Sequence, residues 1–255
     1  MKVNSKISSK AKIGKNVSID EYTVIHDNVI IRDNTIIGSH CNIGLPTNSK
    51  DAEHLIIREN SHIRSHSVFY EGSDFGPGLV TGHSVLVRTK TKAGKRVQIG
   101  SYSNIEGQCL IGNYVKMHSR VYVAIASKIG DFVWLFPGVE FTNDPFPPSH
   151  ICEGITIKDM GVISTGSILL PGITVGLGSF VGAGSIVRMD VPDCHCVSGD
   201  PATVFARIDQ FFNFKHHLSY PWPEHFREGY PEESYKLMDK IVEKINKKIK
   251  QLKNK

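Results

Sequence analysis

"ISSKAKIGKNVSIDEYTVIHDNVIIRDNTIIGSHCNI", residues 7–43, carries an isoleucine at every sixth position: Ile7, Ile13, Ile19, Ile25, Ile31, Ile37 and Ile43. Four positions after each of the first six stand Ala11, Val17, Thr23, Val29, Thr35 and Cys41, all small or β-branched. A period of six fits neither the helical repeat of ~3.6 nor simple alternation. It fits a short strand followed by a tight turn, with the large and the small residue of each hexad pointing inward. Glycine often follows the large residue (Gly14, Gly38, Gly44, Gly94, Gly100, Gly112, Gly130, Gly176, Gly182). The expectation there is a turn that needs positive φ.

The same beat runs from Ile57 through Ile63, Phe69, Phe75, Thr81, Val87, Ala93, Ile99, Ile105, Ile111, Met117, Val123, Ile129 and Leu135 to Phe141. It resumes out of step at Ile157 and runs through Ile163, Leu169, Val175 and Val181 to Val187. Three strands close a triangular coil, so these 28 hexads predict about nine coils and a prism on the order of 45 Å long, at ~4.8 Å per coil. A sandwich of alternating strands would not hold so strict a step. Two excursions interrupt it, 44–56 and 142–156. The second contains "FTNDPFPPSH" (141–150), whose prolines cannot donate ladder hydrogen bonds.

Composition excludes several classes. Of 255 residues 40% are hydrophobic and 22% charged, and no apolar run approaches the ~20 residues of a membrane span. The N-terminus has no apolar signal core, which predicts a cytoplasmic protein. Five cysteines, at 41, 109, 152, 194 and 196, show no CxxC pairing and suit a reducing compartment. The net charge of +5 is concentrated after Glu243, where six lysines meet no acid. The body is nearly neutral, so nucleic acid is not an expected partner.

Beyond Pro201 the beat stops. "FARIDQFFNF" (205–214) has apolar residues at helical spacing, and "LSYPWPEHFREGYP" (218–231) is broken by prolines. From Glu232, Tyr235, Met238, Ile241, Val242, Ile245, Ile249 and Leu252 share one helical face. The expected domains are therefore a solenoid over 1–204 and a C-terminal helical extension over 205–255.

These residues resemble the hexapeptide-repeat acyltransferases. "VSGDPATVFARI" (197–208) resembles the closing Gly-x-Pro-Ala motif of that family, and "GAGSIV" (182–187) its stretch lining acetyl-coenzyme A. "FTNDPFPP" and "TGHSVLVR" (81–88) resemble the members that N-acetylate nucleotide-linked amino sugars. The resemblance implies an all-β solenoid, a left-handed parallel β-helix with a helical tail, assembled as a homotrimer with sites between subunits. It implies acetyl-CoA as co-substrate, with pantetheine held near Thr165, Gly166 and Ala183 and phosphates near Arg188. It also implies a dTDP- or UDP-linked amino sugar as acceptor, for bacterial surface glycans such as O-antigen.

In the repeat lattice, residues 18 apart stack in columns. His83, Ser101, Ser119 and Pro137 form one; Arg88, Glu106, Ala124 and Thr142 form another. His83 and Glu106 are candidates to orient or deprotonate the amine, each readable equally as plain surface. Asn104 joins them as a catalytic candidate, since the oxyanion needs backbone or Asn donors. Arg88, His118, Asn143 and Asp144 are candidates for the acceptor, although Asn143 and Asp144 also suit Asx turns closing a loop. A zinc hydration site needs three protein ligands. His83 and His118 lack a third histidine at 121–124, so no metal is expected. Transfer to a sugar or serine hydroxyl, and a non-catalytic trimeric scaffold, remain as alternatives.

Overall fold

The computed structural model describes residues 4–47, 53–213, 218–219, 227 and 229–254. The strands Lys6–Ile7, Lys12–Ile13 and Ser18–Ile19 make up the first coil. Each pairs in parallel with the strand one coil on: Val24–Ile25, Val29–Ile31 and Ile36–Ile37. The three faces grow to ten, nine and eleven strands. From Lys6–Ile7 to Ile186–Val187 there are 28 short strands, one for each hexad. The first face therefore counts ten levels where hexad arithmetic gave about nine. The architecture is the left-handed parallel β-helix with a C-terminal helix.

The two inward side chains per hexad are found as expected. Ile25, Ile31, Ile37, Ile43, Ile57 and Ile63 are buried, and so are the smaller Thr23, Val29, Thr35 and Cys41. Truncating one such isoleucine to alanine costs about 2–5 kcal/mol, because neighbouring coils cannot close the void.

The glycines that follow the large residues do not, Gly44 excepted, adopt positive φ. Close approach of the next coil selects them instead. A Cβ built on Gly100 would lie 2.3 Å from the His118 carbonyl carbon. The left-handed position falls two residues later, and side chains of many sizes occupy it: Asn16, Asn34, Tyr102, Tyr114, Phe132 and Met160 all have φ between 53° and 61°. Such a conformation costs a bulky L-residue about 1–2 kcal/mol.

At the corner between the second and third faces that cost is offset by burial. Helix α1, Tyr235–Lys253, lies there on Tyr114, Phe132, Met160 and Cys194 through Met238, Ile241, Ile245 and Ile249. Tyr114 and Phe132 stack at 5.0 Å, and Tyr230 closes edge-on to both. The predicted apolar face of the helix is thus the packed one.

The stretch after Pro201 departs from expectation. Ala202–Arg207 is a strand, antiparallel to His195–Gly199 on the third face. The edge of that face left unpaired N–H and C=O groups, and pairing them outweighed the helical spacing of 205–214. Residues 220–226 lie outside the described set.

Both excursions leave at the corner between the first and second faces. The first runs between Asn42–Leu45 and Leu55–Ile57. Buried Glu71 holds its start, accepting from Asn28 Nδ2 (3.0 Å) and from the Thr47 N–H and hydroxyl (2.7 and 2.9 Å). The second runs between Glu140–Phe141 and Thr156–Ile157.

Candidate active site

The corner between the third and first faces carries one unbroken column of turns. Its backbone bonds run from the Ser84 N–H to Ser65 O (3.0 Å), Tyr102 to His83 O (2.9 Å), Arg120 to Ser101 O (2.9 Å), Gly138 to Ser119 O (3.2 Å), Gly166 to Pro137 O (3.0 Å) and Gly184 to Thr165 O (2.9 Å). His83, Thr165, Gly166 and Ala183 therefore share one edge of the prism, with Ala183 one coil below Thr165. Gly166 and Gly184 have φ of 68° and 67°, and a Cβ at either would touch nothing within 4 Å. Conformation selects glycine there, and the bare backbone faces open space.

His83 is exposed, its Nδ1 2.8 Å from Ser65 Oγ, while its backbone N–H donates to Ser101 Oγ at 2.9 Å. The ring is thereby steered through Nδ1 by one serine. His118 stands two coils below, beside Ser119. Its ring stacks on Phe136 at 4.8 Å and approaches Trp134 at 5.9 Å. Burial, reinforced by the Lys116 charge, lowers its pKa from the ordinary 6.5, so the imidazole is neutral near pH 7.

A second cluster occupies the opposite edge of the first face. Glu106 accepts from Arg88 Nη1 at 2.7 Å and from Asn104 Nδ2 at 2.8 Å. Tyr122 is the strand neighbour of Asn104. Burial, then the Glu106 charge, raise the Tyr122 phenol pKa. Asn104 Oδ1 is buried with no hydrogen-bond partner among the described residues. A buried carbonyl in this state costs on the order of 1–3 kcal/mol, which marks the cluster as one lacking a donor.

The arm 142–155 leaves just below, where Thr142 continues the column of Arg88, Glu106 and Ala124. Asp144 spends its carboxylate on the arm itself, accepting from the Phe146 N–H (2.9 Å) and from the Ser149 N–H and hydroxyl (2.7 and 2.6 Å). The Ser149 bonds are the main cause holding its pKa below the usual carboxylate range. This is the Asx closure that the sequence offered as the alternative to ligand binding. The Glu153 N–H donates to Asn143 O at 2.8 Å and closes the base. Phe146 is 81% exposed and Ile151 51%, so the described chain leaves Phe146 largely uncovered and Ile151 half so.

The candidates thus fall into two groups. His83, His118, Thr165, Gly166 and Ala183 follow one corner; Arg88, Asn104, Glu106 and Asn143 follow the other. His83 and Glu106 stand at opposite edges of the first face. Arg188 pairs with Asp200 of the closing motif at 3.1 Å. Sequence reasoning missed Tyr122 and Ser65, though each stands 18 residues from a chosen candidate. Among the described residues no three His, Cys, Asp or Glu side chains gather as a metal site. No described helix is long and apolar enough to cross a membrane.

The family model described as "Bacterial transferase hexapeptide (six repeats)" matches residues 10–44. The serine acetyltransferase of Bacillus licheniformis is 41% identical over 86 residues, 33% of this chain and 38% of that one. The bifunctional protein GlmU of a Nostoc species is 27% identical over 164 residues, 54% of this chain and 36% of that one. The chain therefore spans well under half the length of either relative. The UDP-N-acetylglucosamine acyltransferase from Campylobacter jejuni superposes with a TM-score of 0.55 over 93% of both chains, at 14% identity. The chain carries the hexapeptide repeat and shares the left-handed β-helix fold of that acyltransferase.

Proposed function

We propose that the protein transfers an acetyl group from acetyl-CoA to the amine of a nucleotide-linked amino sugar, in sites shared between the subunits of a homotrimer. The observation that carries this reading is the single corner running from His83 to the open backbone of Gly166 and Gly184. A rigid corner whose glycine turns leave the backbone sterically open, with His83 four coils above, suits an extended thioester better than a compact ligand. The name of the Bacillus relative, a serine acetyltransferase, supports acetyl transfer.

The amine nitrogen attacks the thioester carbonyl carbon, the C–N bond forms, the C–S bond breaks, and the coenzyme leaves as a thiolate that takes up the proton lost by the amine. Amines of this kind titrate near ~8, so a fair fraction is neutral and positioning carries most of the work. Neutral His118, two coils nearer Gly166 than His83, accepts the proton in transit. Because the Glu106 cluster lies across the face from His83, the second group and the arm serve the corner of a neighbouring subunit. Asn104 Oδ1 then gains its missing donor from the acceptor.

Thiol release from acetyl-CoA, measured against dTDP- and UDP-amino sugars and against serine and sugar hydroxyls, tests the reading. Turnover confined to the amines supports it. Turnover confined to serine would favour the activity named for the Bacillus relative, and no turnover with no coenzyme binding would mark a scaffold. Replacing 145–151 with a short Gly-Ser link is expected to leave the fold intact and remove most activity; full activity would place the site away from the arm.

A further inference from the structure

The left-handed positions of the third–first corner hold a ladder of rings that stops and restarts. Tyr22 and His40 stack at 4.9 Å and 11°, and His40 and His66 stack at 4.9 Å and 17°. The next rung is Ser84, and the one after it is Tyr102, 66% exposed. One ring is missing from an otherwise regular stack. Twice the observed 4.9 Å step puts His66 and Tyr102 about 9.8 Å apart. A planar ring on the Ser84 rung would lie about 4.9 Å from each, inside the ~4.5–7 Å range of favourable ring pairs.

Resting on the proposed reading, we infer that this gap is the seat of the acceptor's nucleobase, clasped between His66 and Tyr102 above Ser84. Two further observations favour a nucleotide. Arg120 continues the same column one rung below Tyr102, is exposed, and has no ion-pair partner among the described residues. A guanidinium there matches a diphosphate leading away from the base. The column then continues through Gly138 to Gly166, which directs the sugar toward the thioester. A bulky residue at positive φ is a cost, and at the second–third corner the rings that bear it are covered by α1. Here no part of the described chain covers them, so a stacked ligand supplies the contact.

The test is Ser84→Tyr, which fills the gap with a ring that Tyr22 and Tyr102 already carry at the same φ, both at 61°. Ser84→Ala serves as the control that keeps the gap open. Calorimetry with UDP, dTDP and CoA, together with KM for the active sugar nucleotide, gives the readout. Ser84→Tyr should weaken the nucleotide at least tenfold and leave CoA unchanged, with Ser84→Ala close to wild type. Tyr102→Ala should weaken it roughly five- to a hundredfold, as loss of one base-stacking ring does. Unchanged KM and Kd in Ser84→Tyr would overturn the slot and leave the transfer reaction standing. Weakened CoA instead would hand the slot to the coenzyme's adenine and overturn the assignment. Absence of nucleotide binding and of turnover in the wild-type protein would remove the slot and the reading beneath it together.

Discussion

Tyr114 and Tyr102 have nearly the same backbone, φ 59° and 61°, on neighbouring corners of one prism, yet Tyr114 is 1% exposed and Tyr102 66%. On one corner an unfavourable conformation is compensated inside the chain by α1. On the other the same conformation faces outward. On the second–third corner α1 covers Tyr114 and Phe132 while Asn16 and Arg96, at the same left-handed position, stay exposed, so the cover follows where the helix lies and not the repeat.

The largest expected effect separates the two corners directly. Tyr114→Ala should lose about 3–5 kcal/mol in urea unfolding, the usual cost of deleting a buried ring. Tyr102→Ala should stay within about 0.5 kcal/mol. Equal losses would mean that the open corner is structural too.

The glycines sharpen the comparison at a lower magnitude. Gly100→Ala drives a methyl group into the backbone of the next coil and should cost roughly 1–3 kcal/mol. Gly166→Ala meets no atom and should cost about 1 kcal/mol, the conformational part alone. A larger loss at Gly166 would show the groove to be packed by something the single chain does not contain.

Acidification should touch the open corner through His118. Its pKa is lowered in the folded state, so its contribution is complete above the ordinary 6.5 and declines as pH falls below it, where the unfolded chain binds the extra proton. His118→Phe, which keeps the ring stack, should flatten the fall of Tm between pH 7 and pH 5. An unaltered slope would assign the acid sensitivity elsewhere.

The smallest effect concerns reactivity. Burial raises the thiols of Cys41 and Cys109 to about 11 and those of Cys194 and Cys196 to about 12, while Cys152 is exposed on the arm. Mild alkylation of the native protein should label Cys152 alone, and should slow if the arm is covered in the assembly. Label on Cys194 or Cys196 would show α1 detaching.

Most of the scaffold was legible because every coil repeats the same two inward requirements, and Ile7 to Val187 announces them without a gap that the excursions do not explain. The glycine role was misread, since sequence shows a small residue but not whether conformation or a neighbour 18 residues away demands it. The end of the Ala202–Arg207 strand, 205–207, was misread because its helical spacing is local and the edge it completes is not. At the site, columns were readable from spacing, and His83, Thr165 and Ala183 fall on one of them. Which columns share a corner was not readable, so spacing put His83 and Glu106 in separate columns without showing that they stand at opposite edges of the first face. The broken ring ladder was present in Tyr22, His40, His66, Ser84 and Tyr102, but its meaning depends on rings actually lying parallel.

The column of turns from Ser65 to Ala183 also acts as a ruler. Each coil adds about 4.8 Å, so the distance between the groups at its two ends is fixed in whole steps by the number of hexads between them. Inserting one extra coil near residues 120–136 would leave each end of the column intact but would move the two ends apart by that one step. Spacing along this corner is thus encoded by counting, and an uninterrupted coil changes it in quanta of 18 residues.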